Sequence, residues 1–208
     1  IIQMEEGGRD VTQKDQFYQQ IQLVVEPLKD WLIHAEGNMK IVNNQNQWEV
    51  LPVYYHDGEG SPVAMAWFDG YTPGMSRVNQ SYWKDNNYSL NLYTDYFKQI
   101  GDHYFKVMGG FNAELYKRTN LSGQRDELIT PDVPTLNTGT TEQKANGGYS
   151  HWANAGFFGR INYNYKERYL LEINGRYDGS SRFIGDKRWG FFPSFSAGWN
   201  IAREPFME

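Results

Sequence analysis

Polar and apolar residues alternate through the last third of this chain, from Tyr149 to Ala202, and tight turns or glycine-rich breaks separate the runs. In the run from Tyr169 to Asp178 the odd positions are Tyr169, Leu171, Ile173, Gly175 and Tyr177, while the even ones include Glu172, Asn174, Arg176 and Asp178. Trp189, Phe191, Phe195, Ala197, Trp199 and Ile201 share one parity in the next run, with Gly190, Ser194, Ser196, Gly198 and Asn200 on the other. Side chains on a strand point to opposite faces with period two, so each run is a ribbon with one greasy face and one wet face. A strand between lipid and a wet lumen has this pattern. So does a strand of a soluble sandwich, where one face is buried and the other solvated.

The same rhythm covers the rest of the chain. Phe17, Gln19, Ile21, Leu23 and Val25 alternate against Tyr18, Gln20, Gln22 and Glu26, and Pro27-Leu-Lys-Asp30 breaks that run because proline cannot donate to a ladder. A second strand places Trp31, Ile33, Ala35, Gly37, Met39 and Ile41 opposite His34, Glu36, Asn38 and Lys40. A third runs through Tyr88, Leu90, Leu92, Thr94 and Tyr96, and a fourth sets Phe105, Val107, Gly109, Phe111, Ala113 and Leu115 against Lys106, Gly110, Asn112 and Glu114. A fifth carries Ala153, Ala155, Phe157, Ile161, Tyr163 and Tyr165 on its apolar side. With the two runs above, this predicts about seven strands. Residues 1–15 read as a loop. Long loops are expected near 43–76, with Asp57-Gly-Glu-Gly60, Pro62 and Pro73-Gly74 as turn signals and with Trp48–Tyr55 open to pairing as an extension of the second strand, and near 121–148, which is rich in Thr, Asn and Gly.

Several runs approach or exceed the roughly 9–11 residues that cross a bilayer, whereas sandwich strands average about 5–6. The connections alternate short and long, as they do between the two sides of a membrane barrel. Aromatics at the short-turn ends (Trp31, Tyr96, Phe105, Tyr163, Tyr165, Tyr169 and Trp199) lie on the predicted apolar faces, where an interfacial girdle would sit. Composition agrees: 16% of the residues are aromatic, yet mean hydropathy is −0.72. A thin apolar skin around a polar interior gives that combination, and a packed globular core does not. No stretch of about eighteen apolar residues exists, which excludes a transmembrane helix. The absence of cysteine removes disulfides and thiolate chemistry, and a net charge of −5 without a basic cluster argues against nucleic acid.

Arg176-Tyr-Asp-Gly-Ser-Ser-Arg-Phe183, Arg188-Trp-Gly-Phe-Phe-Pro-Ser-Phe-Ser-Ala-Gly-Trp199 and Glu204-Pro-Phe-Met207 closely resemble the barrel of SusC-like TonB-dependent outer-membrane transporters, as does Gly159 to Leu171. Residues 1–148 match only in style, as in Glu6-Gly-Gly-Arg9 and Val25-Glu-Pro-Leu-Lys-Asp-Trp31. The resemblance implies an all-β fold of antiparallel up-and-down strands, a partial, open segment of a large transmembrane β-barrel. Family members are longer and carry a plug domain and a TonB-contacting box. Neither is expected in this chain, which reads as an internal fragment. What the resemblance further implies is TonB-energised import of glycan oligosaccharides, or peptides, across the outer membrane of a Gram-negative, Bacteroidota-type bacterium. The partners would be a SusD-like surface lipoprotein, the TonB complex and outer-membrane lipid, with no cofactor and no catalysis.

Aromatics flanked by Asp or Asn suit capture of sugar rings, whose C–H faces stack while hydroxyls find acceptors. Trp67, Phe68 and Tyr71 beside Asp69-Gly70, then Trp83, and Trp152 on the lumen side of the fifth strand, are the candidate ligand-binding residues. The plainer role for them is packing of the loop on itself or against the lipoprotein. Asp178, Arg182 and Arg188 are expected to form a charge network at the lip of the last two strands. Asp57-Gly-Glu-Gly60 lacks the alternating oxygen ligands of a calcium loop, and the four histidines are dispersed without zinc-site spacing. Two rivals come from other classes: a soluble all-β carbohydrate-binding module, and a β-rich glycoside hydrolase using a carboxylate pair, of which no pair stands out.

Overall fold

The computed structural model describes residues 5–65 and 73–207. Its strands are β1 (Asp10–Leu28), β2 (Trp31–Val50), β3 (Tyr54–His56), β4 (Pro62–Ala64), β5 (Arg77–Ile100), β6 (His103–Leu128), β7 (Gly139–Tyr165), β8 (Tyr169–Ser180) and β9 (Trp189–Trp199). Seven of them form one sheet in the order β1-β2-β5-β6-β7-β8-β9, while β3 and β4 pair as a separate small hairpin. Each long strand lies beside its neighbours in sequence, β1 and β9 end the order, and the sheet does not close.

The register explains why the alternation persists from strand to strand. Phe157 faces Tyr177, Ile161 faces Ile173 and Tyr163 faces Leu171 across β7 and β8. Tyr177 then faces Phe191, Ile173 faces Phe195, Leu171 faces Ala197 and Tyr169 faces Trp199 across β8 and β9. Directly opposed residues share a face, so the odd positions of all three strands merge into one apolar surface. The even positions merge into the other: Asn162, Glu172 and Ser196 in one row, Arg160, Asn174 and Ser194 in the next.

Among the described residues, nothing covers that apolar surface. Phe195 is 85% exposed, Phe191 65% and Ile173 48%. The hydrophobic residues buried among the described positions are Val42, Val50, Val53 and Val78. A sandwich of this size would bury the whole inner face of each sheet against a second layer. The described residues form no such second layer over this face.

The short turns use the backbone conformations that tight hairpins demand. At the β7–β8 turn both Lys166 and Glu167 have φ of 53°, and the Arg168 amide donates to the Tyr165 carbonyl at 2.9 Å. Two consecutive left-handed residues match the right-handed twist of the flanking strands. Asp30 (φ 69°) and Gly101 (φ 56°) serve the β1–β2 and β5–β6 turns.

Several expected boundaries need correction. Residues 1–15 are not all loop, since β1 already begins at Asp10. The expected loop at 121–148 is mostly ladder: β6 continues to Leu128 and β7 begins at Gly139, leaving 129–138 with a short 3-10 turn at Leu136–Thr138. The excursion expected from 43 starts only after Val50, and it contains the β3–β4 hairpin. These added strand residues are polar on both faces, so they lack the hydrophobic period while neighbouring strands still satisfy their backbone groups.

The chain divides into two compact units, residues 1–16, 41–85 and 118–150, and residues 17–40, 86–117 and 151–208. The first holds the four buried valines and is tied by polar pairs. There Arg77 donates twice to Asp126, at 2.7 and 2.6 Å, and Arg118 twice to Asp85, at 2.6 and 2.8 Å. The second holds the apolar surface just described.

If hydrocarbon solvates that surface, a charge placed in it is costly. Ile173→Arg in the full-length protein should lower its folding stability in lipid vesicles by about 2–4 kcal/mol. Denaturant titration measures this, and an unchanged midpoint would contradict a lipid-facing Ile173.

Candidate functional site: the polar wall

In the second unit the wet face of the sheet is a hydrogen-bonded wall of amides and carboxylates. Gln22 and Tyr93 donate to Glu36 Oε1 at 3.1 and 3.2 Å, and Asn91 donates to Glu36 Oε2 at 3.5 Å. Asn112 donates to Asn91 at 2.5 Å, Tyr18 to Asn38 at 3.0 Å and Asn38 to Ser89 at 3.2 Å. Further along the sheet, Asn162 and Asn174 each donate to Glu172, at 2.6 and 2.8 Å, and Arg160 donates to Asn174 at 2.6 Å. His34 stacks on Tyr93 at 4.3 Å, and its Nε2 lies 3.5 Å from Asp95, which also meets Lys106 at 3.3 Å. Amides donate and accept at once, so such a wall can exchange hydrogen bonds with passing hydroxyl or amide groups. Among the described residues no cluster of His, Cys, Asp and Glu is placed to hold a metal.

Close approach at this wall depends on missing side chains. Gly156 faces Asp178 across the ladder, and a Cβ there would sit 1.9 Å from Asp178 Oδ1. That space lets Asp178 accept two bonds from Arg176, at 3.0 and 2.9 Å. Gly110 similarly leaves room for Phe158, which lies beneath the Arg176 guanidinium at 5.3 Å. A recess of about 460 Å³ opens here, lined by Asn112, Glu114, Asn154, Arg188 and Phe192 among others. In the first unit a larger recess of about 1030 Å³ is lined by Gln13, Gln45, Gln47, Gln80 and Tyr82, with Leu136 and Pro134 of the 129–138 connection. Gln80 donates to Gln47 at 2.7 Å, and Gln47 donates to the Pro134 carbonyl at 3.1 Å.

The expected site residues fall in different places. Trp67, Phe68 and Tyr71 lie outside the described residues. Trp83 is half-buried in β5 within the first unit. Trp152 is half-buried in β7 within the second, and Tyr116 stacks on its ring at 5.5 Å while the Arg182 guanidinium lies over it at 4.7 Å. Its indole is thus already engaged. The expected Asp178–Arg182–Arg188 network does not form: Asp178 is taken by Arg176, two residues away on the same face, and Arg188 donates to the Phe183 carbonyl at 3.4 Å. Gln and Asn carry no motif, so the amide recess has no sequence signature beyond the polar run Asn43-Asn-Gln-Asn-Gln47.

Beyond β9 the chain folds back as a clamp. Trp199 Nε1 and the Tyr169 hydroxyl donate to Glu204 Oε1 at 2.9 and 2.8 Å, with Arg168 3.5 Å from Oε2. Donation by Trp199 first, then by Tyr169, holds the Glu204 carboxyl below its ordinary range. The Asn200 amide adds a bond to the Arg168 carbonyl at 2.7 Å.

No family model matches the chain. Among curated proteins, TonB-dependent receptor P26 of Formosa agariphila is 30% identical over 194 residues, 88% of this chain. TonB-dependent receptor SusC of Bacteroides thetaiotaomicron is 37% identical over 125 residues, 59% of the chain. The chain is similar to part of the SusC-like TonB-dependent receptors. It spans 18% of the length of the first of these relatives and 12% of the second. A solved structure described as the RagAB peptide transporter superposes on 99% of this chain with a TM-score of 0.85 at 16% identity, covering 22% of the solved chain. The same importer in its open-open state gives 0.86. These structures share the fold of the SusC-like sheet.

The geometry of this wall has two measurable consequences. Glu204 has a lowered folded-state pKa, so its clamp contributes stability that is complete above the ordinary carboxylate range and is lost as pH falls through the lowered value. In the full-length receptor, Glu204→Gln should flatten that acid-side loss in tryptophan-monitored unfolding; identical pH profiles for the two proteins would refute the clamp. Gly156→Ala should cost about 1–3 kcal/mol by overpacking against Asp178. Adding Asp178→Ala should recover part of it in a double-mutant cycle, and simple additivity would show that the two positions do not meet.

Proposed function

We propose that this chain forms part of the barrel wall of an outer-membrane importer of oligomeric nutrients in a Gram-negative bacterium. The observation that carries the reading is the exposed two-faced sheet, greasy on one side and lined with amides and carboxylates on the other, in a chain similar to part of the SusC-like receptors. Hydrocarbon around the Ile173–Phe195 face and water along the Glu36–Asn91–Asn112 face give each its natural solvent. The cargo is a glycan oligosaccharide or a peptide, bound and moved without covalent change. The glycan class is what the resemblance to SusC-like transporters implies, and the similarity to a structure named as a peptide transporter supports the peptide class. The barrel works with a SusD-like surface lipoprotein that caps it and with TonB as the energy source, through parts of the receptor outside this chain. Trp67, Phe68, Tyr71 and Trp83 are the aromatics proposed to meet cargo or lipoprotein, and Trp152 acts by holding Arg182.

The soluble carbohydrate-binding module is disfavoured, because it would leave Phe191 and Phe195 bare in water. Two measurements on the full-length receptor test the import reading. The protein extracted in detergent should migrate faster on gels before boiling than after, as closed barrels do. Deleting its gene should abolish growth on its oligomeric cargo while growth on the monomeric unit persists. A receptor whose migration ignores heating, or a deletion strain that grows normally on every oligosaccharide and peptide tried, would overturn the reading.

A further inference from the structure

The turn that joins β8 to β9, residues 181–188, presents Arg182, Lys187 and Arg188 to solvent. None of the three enters an ion pair among the described residues, and Asp186 in the same turn pairs with none of them. Of the two acids that line the same recess, Asp178 is paired with Arg176, while Glu114 accepts a neutral amide bond from Asn87 at 3.3 Å and keeps its charge, which leaves the cations in excess there. What sets Arg182, Lys187 and Arg188 apart is their density: they fall within the seven residues 182–188, against the one acid Asp186. Clustered like charges repel one another, and an incoming counter-charge relieves that repulsion.

Two of the cations are also built into a concave surface. Lys187 and Arg188 line the 460 Å³ recess together with Phe183, Phe192 and Asn154. Phe192 is 60% exposed on the face it shares with Arg176, and Phe183 is 57% exposed. Phenylalanine rings bare on a water-facing wall form an apolar bed for a flat or ring-shaped group. Guanidinium and ammonium groups beside them match a carboxylate, which arginine grips through paired N–H donors. Arg182 is pre-set by its stacking on Trp152, and Arg188 by its bond to the Phe183 carbonyl.

We propose that Arg182, Lys187 and Arg188, with Phe183 and Phe192, form a subsite that selects carboxylate-bearing cargo. This rests on the import reading above and narrows it to acidic substrates. The carboxylate has two sources, a uronic acid residue of an oligosaccharide or an acidic side chain of a short peptide, and the test separates them. Binding to the full-length receptor in detergent is measured by calorimetry with trigalacturonate against maltotriose, and with triglutamate against trialanine.

One acidic probe should bind at least tenfold more tightly than its neutral counterpart, and that probe names the source. The preference should shrink as ionic strength rises, because exposed charges are screened. Replacing Lys187→Gln and Arg188→Gln together should erase it, each lost charge-assisted bond weakening the acidic probe by about tenfold. Arg188→Lys, which keeps the charge but loses the paired donors, should retain a weaker, still salt-sensitive preference. Heat-modifiable migration verifies that each variant folds; if the double variant does not, Lys187→Gln and Arg182→Gln singly carry the test. Equal affinity for acidic and neutral probes, or a preference that survives loss of the cations, overturns the subsite and leaves the import reading standing. Binding of none of the four probes, with normal growth of the deletion strain on oligomers, overturns both.

Discussion

The pleat of the strand obliges consecutive residues to face different surroundings, and in this protein those surroundings are taken to be different solvents. The pairing of Ile161, Ile173 and Phe195 in one row and of Asn162, Glu172 and Ser196 in the next follows from that obligation. A slip of one residue would carry Glu172, Asn174 and Arg176 to the apolar side and Leu171 and Ile173 to the wet one. Every strand contributes several such residues, so register is determined many times over. The sheet therefore needs no packed interior, and four buried valines are enough for the described part of the chain.

On the wet side the chemistry is that of exchange. Neutral amides bridge isolated carboxylates, so that Glu36 and Glu172 each accept from more than one donor. Such a surface holds its own side chains in place while leaving spare donors and acceptors on its wet side. Against this neutral background, the Arg176–Asp178 pair closes on itself and the cations of the 181–188 turn stand open. The difference between a satisfied charge and an unsatisfied one is the basis of the acidic preference proposed for this wall.

The reach of the sequence pattern has a physical limit. Hydrophobic periodicity records which side chains meet hydrocarbon, not which backbones are hydrogen-bonded. From Ala153 to Trp199 the two coincide, and the strands and turns there were legible nearly to the residue. At 118–128 and 139–150 both faces are polar, the signal vanishes, and a continuous ladder looks like a loop rich in Thr, Asn and Gly. The same limit hid the recess around Gln47 and Gln80, since an amide on a strand looks equally like a solvated surface or a binding group.

What the sequence alone determined is the two-faced character of each strand, the short turns and the family likeness of residues 159–207, because each is a local property of neighbouring residues. What only the tertiary structure decided is who satisfies whom. Asp178 goes to Arg176 because Gly156 leaves room for it, Trp152 is engaged by Tyr116 and Arg182, and Glu204 is drawn in by Trp199 and Tyr169. Those partnerships depend on strands distant in sequence being brought side by side at a set register, and no local pattern encodes the distance between them.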